Sequence, residues 1–227
     1  MVEYYVMDGE TRYDFTDYDS ARAKALEVGA NAVLHLAGGT INVGTSNLTL
    51  GGGVTTVMDG ITIREILGGP QKNGTAAFVD LTLTGCTISS FIIGTGVADN
   101  DDYAGLVVNG PTTVTVNSGR YSHFGAVQIG TTKDVVLNVN GGYFSGNVGA
   151  FVSRSGSTID GSFTVNLTGG TVDNLRFASG YQNQTGTING GVYFNMSGGM
   201  VGKLFSPASG ASTINGGLWV NLTGGTP

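Results

Sequence analysis

The phrase VNLTGGT stands at 165–171 and again at 220–226, with a looser copy, FNMSGGM, at 194–200. A chain that repeats a short phrase every few tens of residues is built of units that stack on copies of themselves. Four more copies align: LHLAGGT (34–40), LTLTGCT (81–87), VTVNSGR (114–120) and LNVNGGY (137–143). Their sixth positions are Gly39, Cys86, Gly119, Gly142, Gly170, Gly199 and Gly225. The first interval, 47 residues, is about twice the others, which run from 23 to 33. A degenerate coil is therefore expected near TTVMDGITI (55–63).

The first and third residues of each copy are apolar: Leu34/Leu36, Leu81/Leu83, Val114/Val116, Leu137/Val139, Val165/Leu167, Phe194/Met196 and Val220/Leu222. The second and fourth are mostly Asn, Thr or Ser. That period of two marks a strand with one buried face, and the glycines that follow bend the chain. A second apolar pair comes next: Ile88/Phe91, Tyr121/Phe124, Phe144/Val148, Val172/Leu175, Val201/Leu204. Then TIDG (158–161) and TING (187–190, 213–216), with the looser VVNG (107–110), supply turn signals. Each coil thus holds about three short strands between glycine-rich corners. One coil cannot bury its apolar row alone, but stacked coils can, with like strands pairing in parallel. The chain is predicted to be all-β, a β-solenoid of about eight coils. At ~4.8 Å per coil it makes a rod of roughly 40 Å.

The second position of the phrase reads His35, Thr82, Thr115, Asn138, Asn166, Asn195, Asn221. These side chains point outward and are expected to stack, with Asn amides hydrogen-bonded along the column. The Asn-x-Ser/Thr sequons at Asn166 and Asn221 fall inside the phrase, so the repeat accounts for them.

Two regions are distinguished: 1–33 as an N-terminal cap and 34–227 as the repeats. Within the cap, TDYDSARAKALEVGAN (16–31) reads as a short helix, with Asp19 or Ser20 as N-cap and Gly29 as the stop. Its Ala21, Leu26 and Val28 are expected to cover the first coil, because an open solenoid edge templates aggregation. At the other end the sequence stops just after a first strand, at NLTGGTP. Further repeats, or a partner stacked on that end, are expected there.

Composition narrows the partners. With 40% apolar and only 11% charged residues the chain can build a core. Ten basic against sixteen acidic residues, net −6, argue against nucleic acid and against anionic membranes. No 18-residue apolar run inserts in a membrane, and no signal peptide is visible. Cys86, alone, forms neither an intrachain disulfide nor a cysteine-based zinc site.

LHLAGGTI (34–41) after a cap helix, then Gly-Gly-Thr coils with TINGG turns, resembles right-handed parallel β-helix proteins over residues 20–227. The pattern looks most like autotransporter passengers and bacterial surface adhesins. The resemblance implies a right-handed winding and an extracellular or bacterial cell-surface location. It also implies an adhesive or stalk role toward glycans or a host surface. The same fold carries polysaccharide lyases, glycosidases and phage or spore fibres, which stand as alternatives. Pectinase-like hydrolases use clustered Asp with a His-Gly and an Arg-x-Lys. Here His35 and His123 precede Leu36 and Phe124, and Arg22-Ala23-Lys24 lies in the cap. Those departures weigh against an enzyme. If one exists, its site is expected in loops at 95–105 or 120–134.

Four further groups are candidates for chemistry. Asp99, Asp101 and Asp102 are candidate Ca²⁺ ligands, since Ca²⁺ takes several hard oxygens; a solvated loop is the plainer reading. Asp59 and Glu65, with Arg64, are weighed as a carboxylate pair against surface charges with a local salt bridge, and His123 as a general base against a neutral exposed side chain; the second reading is the plainer one in both cases. The residue before the phrase reads Val33, Asp80, Thr113, Val136, Thr164, Tyr193, Trp219. Tyr193 and Trp219, beside Asn195 and Asn221, are the candidate glycan contacts: an apolar ring face with amides at its edge suits a sugar.

Overall fold

A computed structural model describes residues 1–42, 48–70, 74–95, 106–127, 130–151, 156–177, 186–205 and 212–227. The chain is mostly β: a β-solenoid of parallel stacked coils, of about five turns, with one short N-terminal helix. Each full coil contributes one strand to each of three sheets. The strands Val79–Thr84, Thr112–Val116, Val135–Val139, Phe163–Leu167, Gly191–Met196 and Gly217–Leu222 lie side by side in the first, ten-stranded sheet. Cys86–Thr95, Gly119–Val127, Tyr143–Phe151, Thr171–Arg176 and Met200–Phe205 neighbour one another in the second. The third sheet holds the short strands from Thr75–Ala76 to Thr213–Ile214.

The phrase alignment is the register of the first sheet. Leu81, Val114, Leu137, Val165, Phe194 and Val220 are successive Cα partners. The degenerate coil is present: Thr55–Asp59 pairs with Ala32–Ala37 on one side and Val79–Thr84 on the other. Thr56 takes the inward position there and stays buried by donating its hydroxyl to Val54 O at 3.4 Å. Inward residues such as Leu34, Leu36, Leu137, Phe144, Phe163 and Leu167 form one continuous core. Each such side chain contributes about 1.5–3 kcal/mol relative to exposure.

In the second sheet one expected position is corrected. Ile92, not Phe91, pairs with Phe124 and is buried, while Phe91 falls opposite His123. A register shift between Ile88 and Phe91 adds one residue, which a fixed period cannot foresee.

The glycines of the phrase have a stacking role. Gly170 has φ +77°, and a Cβ there would sit 2.5 Å from Gly142 O. Gly199 repeats this one coil on, with φ +76° and Gly170 O at 2.7 Å. The corner thus demands both a left-handed backbone and room for the corner beneath it.

The cap departs from expectation in three ways. Residues ahead of the helix form an antiparallel hairpin, Glu3–Asp8 with Thr11–Phe15, and Glu3–Asp8 pairs antiparallel with Ala32–Ala37. Gly9, at the first position of the two-residue turn Gly9-Glu10 with φ +58°, was its signal. The helix runs Tyr18–Val28, and its N-cap is Asp17, which accepts from Ser20 N at 2.8 Å, rather than Asp19 or Ser20. Asp17 also accepts from Ser20 Oγ at 2.9 Å, and Tyr18, the first helical residue, donates its hydroxyl to Leu50 O at 2.9 Å. Ala21 and Ala25 are buried, whereas Leu26 is 47% exposed. Residues four apart share one helix face, and Leu26 lies about 100° off it. Arg22 ties the helix to the solenoid, Nε donating to Leu50 O at 2.7 Å and Nη2 to Gly52 O at 3.1 Å.

Candidate functional site

The outer face of the first sheet carries the second-position column in register. Asn138 Nδ2 donates to Thr115 Oγ1 at 3.3 Å, Asn166 Nδ2 to Asn138 Oδ1 at 2.9 Å, and Asn195 Nδ2 to Asn166 Oδ1 at 2.9 Å. The amides link coil to coil, as their spacing predicts. At the N-terminal end of this column His35 stacks on Tyr5, ring centroids 4.6 Å apart and 3° from parallel, and Arg12 lies over Tyr5 at 3.8 Å. Burial, then the Arg12 charge, holds the His35 imidazole below its ordinary pKa.

Two further ladders escaped sequence reading. Asn117 Nδ2 donates to Thr84 Oγ1, Asn140 Nδ2 to Asn117 Oδ1, and Thr168 Oγ1 to Asn140 Oδ1, at 3.2, 3.0 and 3.0 Å. On the third sheet Asn215 Nδ2 donates to Asn189 Oδ1 and Asn189 Nδ2 to Asp160 Oδ1, both at 3.0 Å. Lys133 pairs with Asp160 beyond them. That pair and the Asn189 bond pull the Asp160 carboxyl below the usual range. The signals were present: the fourth phrase residue, and the Asn or Asp of TIDG and TING, which also mark turns.

Tyr193 and Trp219 are Cα partners one coil apart, and their rings stack at 4.6 Å with an interplanar angle of 6°. Trp219 is 46% exposed. The rings lean back over the glycines two residues before each of them, on the same sheet face. A Cβ at Gly191 would meet Tyr193 Cε2 at 2.9 Å, and one at Gly217 would meet Trp219 Cη2 at 3.2 Å. Glycine two positions ahead of an aromatic residue, in GGVYF and GGLWV, is the sequence signal for this packing. Asn195 and Asn221 are register partners in the next outward column. All four residues therefore share one face, with amides alongside a face-to-face ring pair. One face of the indole is covered by Tyr193, which leaves the other face and the ring edges uncovered by that ring.

The remaining candidates are dispersed. Asp99, Asp101 and Asp102 lie outside the described residues. Among the described residues no group of three His, Cys, Asp or Glu could hold a metal ion. Glu65 is a buried side chain, not a surface charge, and accepts from Ser90 Oγ at 3.3 Å. Asp59 is exposed at the end of a first-sheet strand, and Glu65 lies between two short second-sheet strands. His123 is half-buried rather than exposed. Its Nδ1 accepts from Asn147 N at 2.9 Å, and burial lowers its pKa. A main-chain N–H only donates, so Nδ1 carries no proton. Residues 120–127, expected within a loop, belong to the strand Gly119–Val127.

No family model matches the chain, and comparison with curated proteins and with solved structures gave no match. The class is therefore set by the fold alone: a β-solenoid of parallel stacked coils.

Proposed function

We propose that the chain is a non-enzymatic extracellular rod, an adhesive or stalk segment of a bacterial surface or secreted repeat protein, with a glycan as ligand. The Tyr193–Trp219 stack beside Asn195 and Asn221 carries this reading. A pyranose offers an apolar C–H face and a rim of hydroxyls. An indole face with neighbouring amides is complementary to both. The side-chain ladders support the rod, because each adds coil-to-coil hydrogen bonds to the main-chain pairing.

The winding is read as right-handed, the hand of about 98% of crossovers between parallel strands. One coil is counted for each parallel strand of the first sheet, eight in all, which is its ten strands less the two of the hairpin. At the Gly217–Leu222 strand, Val220 and Leu222 face inward by register yet are each 46% exposed.

The test is fluorescence of Trp219, the single tryptophan, titrated with a panel of oligosaccharides. A shift is expected with the cognate sugar, and Trp219→Ala abolishes it. Release of reducing ends or unsaturated sugars, lost on mutating Asp101 or His123, would instead assign a lyase or glycosidase. No response to any glycan would remove the ligand from the reading and leave a spacer.

A further inference from the structure

A depression on the outer face of the second sheet, a different sheet from that of Tyr193 and Trp219, has its own chemistry. Its shape follows from strand register. Ile88 and Phe91 face Tyr121 and His123, while Tyr121 and Phe124 face Phe144 and Val148. Cys86–Thr95 and Tyr143–Phe151 therefore each hold one residue more than Gly119–Val127 between their paired stretches. Extra residues bend a strand and disrupt its ladder locally. Between the two bulged strands lies a hollow of about 190 Å³, lined by Ser89, Arg120, Ser122, Tyr143 and Ser145 among others.

Arg120 is the exposed cation of this hollow. Its guanidinium carbon lies 5.5 Å from the centroid of the Tyr143 ring, and among the described residues it has no hydrogen-bond or ion-pair partner. Other arginines of the fold are engaged: Arg12 by Glu3 and Asp14, Arg22 by two carbonyls. One polar group beside Arg120 is oriented as an acceptor. Ser122 Oγ donates its proton to Ser89 O at 2.9 Å, which leaves lone pairs on the hydroxyl oxygen. Tyr143, whose ring lines the hollow, is held by its hydroxyl, which donates to Asp173 Oδ2 at 2.7 Å. An exposed cation thus shares the hollow with a hydroxyl oxygen free to take a hydrogen bond.

We infer that this hollow binds an anionic saccharide, with Arg120 on the anion and Ser122 on a sugar hydroxyl. The planar guanidinium offers paired N–H donors that match a carboxylate or a sulfate. The Tyr143 ring holds the cation in place from one side. A neutral ligand would leave the guanidinium without a counter-charge, and a ligand without hydroxyls would leave the acceptor unmatched. The volume is below the roughly 300–1,000 Å³ of pockets for drug-sized ligands. It therefore receives one unit of a chain that lies along the sheet face.

The experiment is isothermal titration calorimetry of the full chain at low salt with three probes: a glucuronic acid tetramer, the glucose tetramer of the same linkage, and that glucose tetramer sulfated. Binding of the carboxylated or the sulfated probe, at least tenfold tighter than the neutral one, is expected; which of the two binds identifies the anion. Arg120→Gln should weaken that binding at least tenfold with an unchanged circular dichroism spectrum, Arg120→Lys should recover part of it, and Trp219→Ala should leave it unaltered. Equal binding of the neutral tetramer, full binding by Arg120→Gln, or no binding of either charged probe would overturn the assignment. Loss of binding in Trp219→Ala with retention in Arg120→Gln would also overturn it, and would place the sugar on the first sheet.

Discussion

Asn189 Nδ2 donates to Asp160 Oδ1 at 3.0 Å, and because a carboxylate only accepts, that bond sets the direction of the whole third-sheet ladder. Asn189 must present its oxygen to the next coil, where Asn215 donates to it. Replacing the middle amide by a carboxylate sets acceptor against acceptor. Asn189→Ala should cost about 1 kcal/mol, a typical net hydrogen bond. Asn189→Asp should cost more than Asn189→Ala at pH 7, because a second carboxylate then faces Asp160. The new carboxyl would have a raised folded pKa, so its penalty relative to Asn189→Ala should shrink as pH falls and it gains a proton to donate. Urea unfolding at pH 7 and pH 4 checks this. Equal costs for the two variants at both pH values would show that ladder polarity is unimportant.

Leu167 and Leu222 occupy the same position of the phrase, yet Leu167 is fully buried and Leu222 is 46% exposed. Leu167→Ala should cost about 2–5 kcal/mol through lost transfer energy and a cavity. Leu167→Asp should cost more, since an unpaired charge enters the core. Leu222→Ala should cost under about 1 kcal/mol in this chain. Chemical denaturation of the three variants separates phrase position from location in the stack. Comparable losses for the two alanine variants would refute the distinction.

The histidines predict a pH dependence. His123 and His35 both titrate below the ordinary value in the fold, chiefly through burial. The unfolded chain therefore binds more protons than the folded one as pH drops below about 6.5, the reference imidazole value. Stability from these groups is full above that pH and is lost as pH falls through the folded values. The melting temperature should be flat above about pH 7 and decline below 6.5, with a shallower decline in the His35→Gln, His123→Gln double variant. Imidazole pKa values above 6.5 by nuclear magnetic resonance would reverse the sign and sink the prediction.

Arg22 joins the cap helix to the carbonyls of Leu50 and Gly52. Hydrogen bonds from a charged donor contribute about 1.5–3 kcal/mol, so Arg22→Ala should lower stability by that order. Arg22→Lys should restore only part, because one ammonium does not reproduce two fixed guanidinium directions. Hydrogen exchange should show the loss first in the helix amides of Tyr18–Val28. Unchanged exchange there would mean that Tyr18, Ala21 and Ala25 suffice to hold the cap helix.

The sequence by itself determined the coil, its strands and their register. Val165 and Leu167 recur as apolar residues at period two, and like residues stack best on like, so aligning the phrase was equivalent to pairing the first sheet. The same logic placed the Asn138–Asn166–Asn195 ladder and set Tyr193 over Trp219. Only the tertiary structure decided what depends on a neighbouring coil or on one inserted residue. The bulge that puts Ile92 in the core, and with it the hollow at Arg120, comes from unequal strand lengths in adjacent coils, which no single coil encodes. The burial of Glu65 and the half-burial of His123 follow from what packs over them. The tie of the cap helix to the solenoid, Tyr18 and Arg22 on Leu50 O, joins residues 28 or more apart in the chain. A repeat constrains each residue against its own copies, whereas a site depends on where those copies fail to match.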